Sequence, residues 1–82
     1  MEMTARELQN ALGYVGMERN LRKLAIKEKL SSVDNIATMS ELDICDLVLK
    51  TFEVVSTEEE RVTLVRKEDL PAYRKIVKFI DR

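Results

Sequence analysis

A chain of 82 residues without a histidine, with fourteen Lys and Arg against fifteen Asp and Glu and a net charge of −1, has room for one domain and no overall pull on nucleic acid. The single cysteine, Cys45, excludes an internal disulfide and a Cys/His zinc site, and suits a reducing compartment. No apolar run approaches the roughly 18 residues of a membrane span, and MEMTARELQ lacks the apolar stretch of a signal peptide. The expectation is one domain over residues 1–82, intracellular, cytoplasmic or nuclear, with no membrane partner.

In chain order, Thr4 stands three residues before Glu7 at capping-box spacing, Leu8 and Leu12 share a face, and Gly13 is a natural stop, so a first helix is predicted over Thr4 to Leu12. After YVGM, the run ERNLRKLAIKEKL has no breaker and carries Leu21, Leu24 and Ala25 as a stripe flanked by Met17 and Ile26. It predicts a second helix over Glu18 to Leu30. In SSVDNIATM, Ser32 can cap a single turn through Ile36. Ser40 then opens another capping signature before ELDICDLVLK, where Leu42, Cys45 and Leu49 share a face that Ile44 and Val48 widen. A third, largely buried helix is predicted over Glu41 to Lys50.

The next stretch, VVSTEEERVTLVRK, reads two ways. Phe52 and Val54 alternate with Glu53 and Val55, and Val62 and Leu64 with Thr63 and Val65, which is strand periodicity in β-branched residues. Thr57 and Glu60 also stand at capping-box spacing, so Thr57 to Lys67 has a helical alternative. The hairpin is preferred because Val62, Thr63 and Val65 are poor helix formers, and the missing Gly or Asn calls for a loop of several residues. Asp69 and Pro71 then start a last helix, Pro71 to Ile80, with Tyr73, Ile76, Val77 and Ile80 at i, i+3, i+4, i+7. This stripe is expected to be integral to the core, so that Ile76→Ala costs about 2–5 kcal/mol; Phe79 lies off it, as a candidate contact residue.

Catalytic signatures are missing. The chain has no P-loop, no G-x-G-x-x-G, no G-x-S-x-G and no histidine for proton transfer near neutral pH. Acid/base or divalent-ion chemistry would rest on Asp43 with Asp46, or on Glu58 to Glu60, all of which also read as solvated charge. Cys45 shares the spacing of Leu42 and Leu49 and reads as a small buried hydrophobe. No enzymatic activity, cofactor or metal is expected. Two patches remain as candidate sites. Arg19, Lys23 and Lys27 repeat at i, i+4 on the second helix and with Arg22 form a basic stripe suited to phosphate, which Arg66 and Lys67 extend. Glu41, Asp43 and Asp46 on the third helix, with Phe79 on the last, form the candidate protein-binding set.

Three helices, a hairpin and a C-terminal helix follow the order of an α+β winged-helix-like domain, in which the third helix is the one placed in a DNA major groove. Here Glu41, Asp43 and Asp46 would face phosphates, and Glu58, Glu59 and Glu60 would sit at the wing tip. Duplex DNA is therefore expected to bind in the nonspecific range of about 10⁻⁴ to 10⁻⁶ M at best.

The segment ELDICDLVLKTFEVVSTEEERVTLVRK resembles the end of a LOTUS domain, with Asp46, Leu47, Val54 and Val55 matching a D-L-L helix that runs into a V-V strand, and Ile76, Val77 and Ile80 falling in the added C-terminal helix. That resemblance implies a module that binds and stimulates DEAD-box helicases through its third and added helices, and in some members binds RNA. The same segment is similar to a La motif, whose hairpin E-V-S-E-D-x-x-x-[IV]-R-R corresponds to Glu53 to Ser56 and Val65 to Lys67; of the aromatics with which La motifs hold RNA, this region offers Tyr14. Three functions stay open: a protein-interaction module in a nucleoprotein or regulatory assembly, a direct RNA or DNA binder using Arg19, Arg22, Lys23 and Lys27, and an all-helical adaptor should Thr57 to Lys67 be helical. Opposite charge on the second and third helices also permits homo-oligomers.

Overall fold

Thr4 and Glu7 cap each other. The Glu7 backbone N–H donates to Thr4 Oγ1 at 3.2 Å and the Thr4 N–H to Glu7 Oε1 at 3.0 Å, and these bonds hold the Glu7 carboxyl below its usual range. They start α1, Ala5–Val15. The computed structural model describes residues 2–15, 18–58 and 61–80, and of Tyr14, Val15, Phe79 and Ile80 the backbone. The predicted Met17 flank of the second helix lies outside those residues.

The second helix, α2 (Glu18–Lys27), turns its buried Leu21 and Ala25 inward. It ends earlier than Leu30 for a local reason. Leu30 N–H donates to the Ala25 carbonyl at 3.0 Å and Lys29 N–H to that of Ile26 at 3.1 Å, the paired bonds of a Schellman cap. Lys29 takes the left-handed position of that cap, at φ 55°, where glycine is the usual occupant because it has no Cβ to crowd the carbonyl. Leu30 folds back against the core. The predicted single turn is a short helix, α3 (Val33–Thr38), with Ser32 accepting from Asn35 N–H at 3.1 Å. Ser40 repeats the device for α4 (Glu41–Thr51), accepting from Asp43 N–H at 3.1 Å.

Helix passes into strand without a linker: Thr51 is the last residue of α4 and Phe52 the first of β1, Phe52–Ser56. β1 pairs antiparallel with β2, Thr63–Arg66, in the register Phe52 to Arg66, Glu53 to Val65, Val54 to Leu64 and Ser56 to Thr63. The slip between Val54 and Ser56 places one extra residue, Val55, on the first strand. Arg61 N–H donates to the Glu58 carbonyl at 3.1 Å in the connecting loop. This hairpin removes the helical alternative for Thr57 to Lys67 and with it the all-helical adaptor. A 3₁₀ turn, Lys67–Asp69, leads into α5, Leu70–Ile80.

The fold is an α+β, winged-helix-like domain. α1 and α2 both pack on α4, α3 packs on α2, and the hairpin extends α4. The core joins Leu8 and Leu12 of α1, Leu21 and Ala25 of α2, Ile36 of α3, Ile44, Cys45 and Val48 of α4, Phe52 and Val54 of β1, and Val62. Among the described residues no helix is long and apolar enough to cross a membrane.

The last helix departs from expectation. α5 rests on β2 and on the turn before it. Leu70 is its buried residue, outside the main cluster, while Tyr73 and Val77 are half-buried and Ile76 is 58% exposed. Phe52, Val54 and Val62 join the main cluster, whereas α5 meets β2, whose four residues are all half-buried, and the turn before it. The expectation that Tyr73, Ile76 and Val77 are integral to the core is corrected; the side chain of Ile80 lies outside the described residues. The molecule is accordingly drawn out, with principal extents of 45 × 25 × 18 Å.

Urea denaturation should separate the two regions: Ile44→Ala is expected to cost about 2–5 kcal/mol, and Ile76→Ala no more than about 0.5 kcal/mol, as at an ordinary surface position. Lys29→Gly should raise stability by up to about 1 kcal/mol, the relief of a side chain held at positive φ; a loss on that substitution would show that Lys29 makes a contact worth more than its strain.

Candidate functional site

The capped α4 is divided cleanly. Ile44, Cys45 and Val48 have no exposed surface, and on the opposite side Asp43, Asp46 and Lys50 are exposed at i, i+3 and i+7. Glu41 and Leu42, at the start of the helix, are half-buried. Of the predicted acidic set, Asp43 and Asp46 thus form the outer edge together with a lysine, and Glu41 stands aside. In a winged-helix domain this edge is the one offered to a groove, and two carboxylates on it oppose a phosphate backbone.

The basic stripe divides as well. Arg19, Lys23 and Lys27 are exposed along α2, and no ion pair or side-chain hydrogen bond to them is found among the described residues. Arg22 is not part of that free surface. Its Nε and Nη2 donate to Glu18 Oε1 at 3.1 and 3.0 Å, and its Nη1 donates to the Ile36 carbonyl at 2.8 Å, so the side chain fastens α2 to α3. The i, i+4 spacing of Glu18 and Arg22 was a visible signal for this pairing; the reach to Ile36 was not. Arg66 does not extend the stripe either. Its Nε and Nη2 donate to Glu28 Oε1 at 3.2 and 3.0 Å, Glu68 lies 3.8 Å from Nη1, and the guanidinium sits 5.3 Å from the centre of the Phe52 ring. A planar cation that both stacks and donates in pairs is what such a position selects. Lys67 is exposed.

Of the acidic tip, Glu58 is exposed and Glu59 and Glu60 lie outside the described residues, as does the side chain of Phe79. The large apolar side chain exposed on α5, among the described residues, is Ile76. Beside it α5 carries Arg74, Lys75 and Lys78 and no acid. Arg74 reaches Glu53 at 3.5 Å. Pro71, Tyr73, Arg74, Lys75, Val77 and Lys78 line an open concavity of about 480 Å³, and since this lining comes from α5 alone, no second element among the described residues borders it. Sequence reasoning missed this surface because the periodic stripe reads equally well as core.

Other recesses are small. One of about 230 Å³ is bounded by Leu12, Asn20, Leu21, Leu24, Val62 and Leu64, and one of about 320 Å³ lies between Glu2, Thr4, Phe52, Glu53 and Lys67. No group of three or more His, Cys, Asp or Glu among the described residues is placed to hold a metal ion. Burial pushes the Cys45 thiol up to about 11, with the carboxylates of Glu41 and Glu18 adding to the shift; a thiol so held is protonated and inert at neutral pH. Comparison with known proteins finds no counterpart: no family model, no curated protein and no solved structure matches the chain.

Cys45 serves as a reporter of the core. Iodoacetamide at pH 8 should label it at least about 10³-fold more slowly in the native protein than in urea, the ratio set by the unfolded fraction. Because the folded thiol ionises near 11 against an ordinary value of 9.0, its contribution to stability is complete below 9 and is lost as pH rises through 11. Cys45→Ala should lack that alkaline component in denaturation between those values; an identical pH profile would show that the thiol is not desolvated.

Proposed function

We propose that this domain is a non-enzymatic protein-interaction module of winged-helix type, acting in a nucleoprotein or regulatory assembly, with α5 and the outer edge of α4 as its partner surfaces. The observation that carries the reading is Ile76, 58% exposed on a helix whose other large described apolar side chains are buried, as Leu70 is, or half-covered, as Tyr73 and Val77 are. A scattered exposed isoleucine is ordinary. One that stands on the flank of α5 opposite Lys78, with the concavity of Pro71, Arg74, Lys75 and Lys78 on the other flank, leaves two sides of the same helix open to a partner. The similarity to LOTUS domains, which engage a protein through their third and added helices, supports the same pair of elements.

A second reading has its own support. Arg19, Lys23 and Lys27 are exposed and unpaired among the described residues, and residues four apart on a helix stand about 6 Å apart along its axis, near the spacing of successive phosphates on a single strand. This is the RNA-binding alternative, with duplex DNA disfavoured by Asp43 and Asp46.

A photo-crosslinking residue in place of Ile76, and separately in place of Lys23, distinguishes the two in extract from the native source. The interaction reading predicts protein adducts from position 76 that survive nuclease treatment. Adducts confined to position 23 and abolished by ribonuclease would overturn it in favour of RNA.

A further inference from the structure

α5 is buried at its start, at Leu70, and open beyond it. Its packing is on β2 and on the turn before it, and its later residues fall in rows four apart along the helix. Three adjacent rows, Tyr73 with Val77, Arg74 with Lys78 and Pro71 with Lys75, line the concavity of about 480 Å³. That volume is within the range of about 300–1,000 Å³ found for binding clefts. The fourth row carries Ile76, which is not part of the lining.

The lining has two components. Pro71, Tyr73 and Val77 give it an apolar side, and Arg74, Lys75 and Lys78 give it three cations and no acid. Arg74 shares its charge with Glu53 at 3.5 Å. Lys75 and Lys78 are exposed and have no ion pair or side-chain hydrogen bond among the described residues. By contrast, Arg19, Lys23 and Lys27 of α2 line none of the recesses described above. Exposed ion pairs alone contribute little, so an apolar recess beside the cations is what distinguishes α5 from α2.

We infer that this concavity takes a short acidic segment of a partner protein, with one large apolar side chain seated against Pro71, Tyr73 and Val77 and flanking carboxylates meeting Arg74, Lys75 and Lys78. This deepens the interaction reading above and rests on it. Charge complementarity selects the acid, and the apolar side of the lining selects a side chain over an isolated anion. A nucleic-acid strand fits less well. Laid along α5, it meets Glu68 and Asp69, both exposed in the turn before the helix. Tyr73, the aromatic of the lining, is half-buried, so part of its ring is closed to a stacking base. A short segment ends before those carboxylates.

The test titrates the whole isotope-labelled chain with a synthetic peptide of Asp and Glu around a central Leu-Phe pair. Amide shifts should move between Ala72 and Lys78 and stay in place at Arg19, Lys23 and Lys27, and binding should weaken about fivefold or more in about 0.5 M salt. Replacing the Leu-Phe pair by serines, or the acids by Asn and Gln, should each weaken binding about fivefold or more. Lys75→Glu with Lys78→Glu should weaken it about tenfold or more at an unchanged thermal midpoint, whereas Arg19→Glu with Lys23→Glu should bind as the parent does.

A serine-centred peptide that binds as tightly as the original overturns the inference, because charge alone then accounts for capture. Tighter binding of oligouridylate at the same amides overturns it in favour of nucleic acid. If the peptide moves none of these amides while position 76, on the other side of α5, still cross-links to a protein, the acidic segment is overturned and the interaction reading stands. If both fail, the reading falls with the inference.

Discussion

The centre of this domain is one face of α4. Ile44, Cys45 and Val48 are closed to solvent, and they are the surface on which α1 and α2 both pack. A chain this short buries little more than about 60% of what its unfolded form exposes, and its described core is the single cluster that this face joins. The same face sets what the helix can offer outside. Once three apolar side chains point inward, helical geometry puts Asp43, Asp46 and Lys50 on the far side. Packing thus set which residues of α4 face solvent, and two of the three are carboxylates.

Two of the arginines are structural. Arg22 and Arg66 are turned inward to carbonyl, carboxylate and ring, where a planar donor that makes several bonds at once gains most. Lys23, Lys27, Lys75 and Lys78 stay in water. Arg66 has the longer reach in sequence, tying the second strand of the hairpin to Glu28 just beyond α2, and so it holds the wing against the helical part without contributing apolar area. Counting basic residues therefore overstates the free positive surface. Two of the side chains that made the stripe look broad are structural.

Much of the fold was legible from local signals. Capping pairs such as Thr4 with Glu7 and Ser40 with Asp43 act within one turn of chain, so sequence spacing carries nearly all the information they need. The hairpin was legible from the alternation of β-branched residues, which overrode a competing capping signature at Thr57. The failures were of another kind. The end of α2 turned on Lys29 adopting a conformation that its side chain disfavours, and nothing in the residue type announces that. The stripe of α5 was read as core because periodicity states which residues share a face and not what meets that face. Phe52, Val54 and Val62 join the main cluster while α5 rests on β2 and the turn before it, a long-range outcome that no window of eleven residues contains. The same blindness hid the carbonyl of Ile36 that engages Arg22.

The direct passage of α4 into β1 gives the hairpin a mechanical relation to the helix. With Thr51 helical and Phe52 already extended, no loop absorbs rotation between them, and each added or removed helical residue would swing the strand by about 100° around the helix axis. The arm that Arg66 fastens to Glu28 would then point elsewhere. The connection after Ser56 is under no such constraint, since Thr57, Glu58 and Arg61, its described residues, belong to neither the core nor the ladder. Length variation in descendants of this sequence should accordingly gather at the outer end of the hairpin and spare its root, and a foreign segment spliced into the domain has its natural place there.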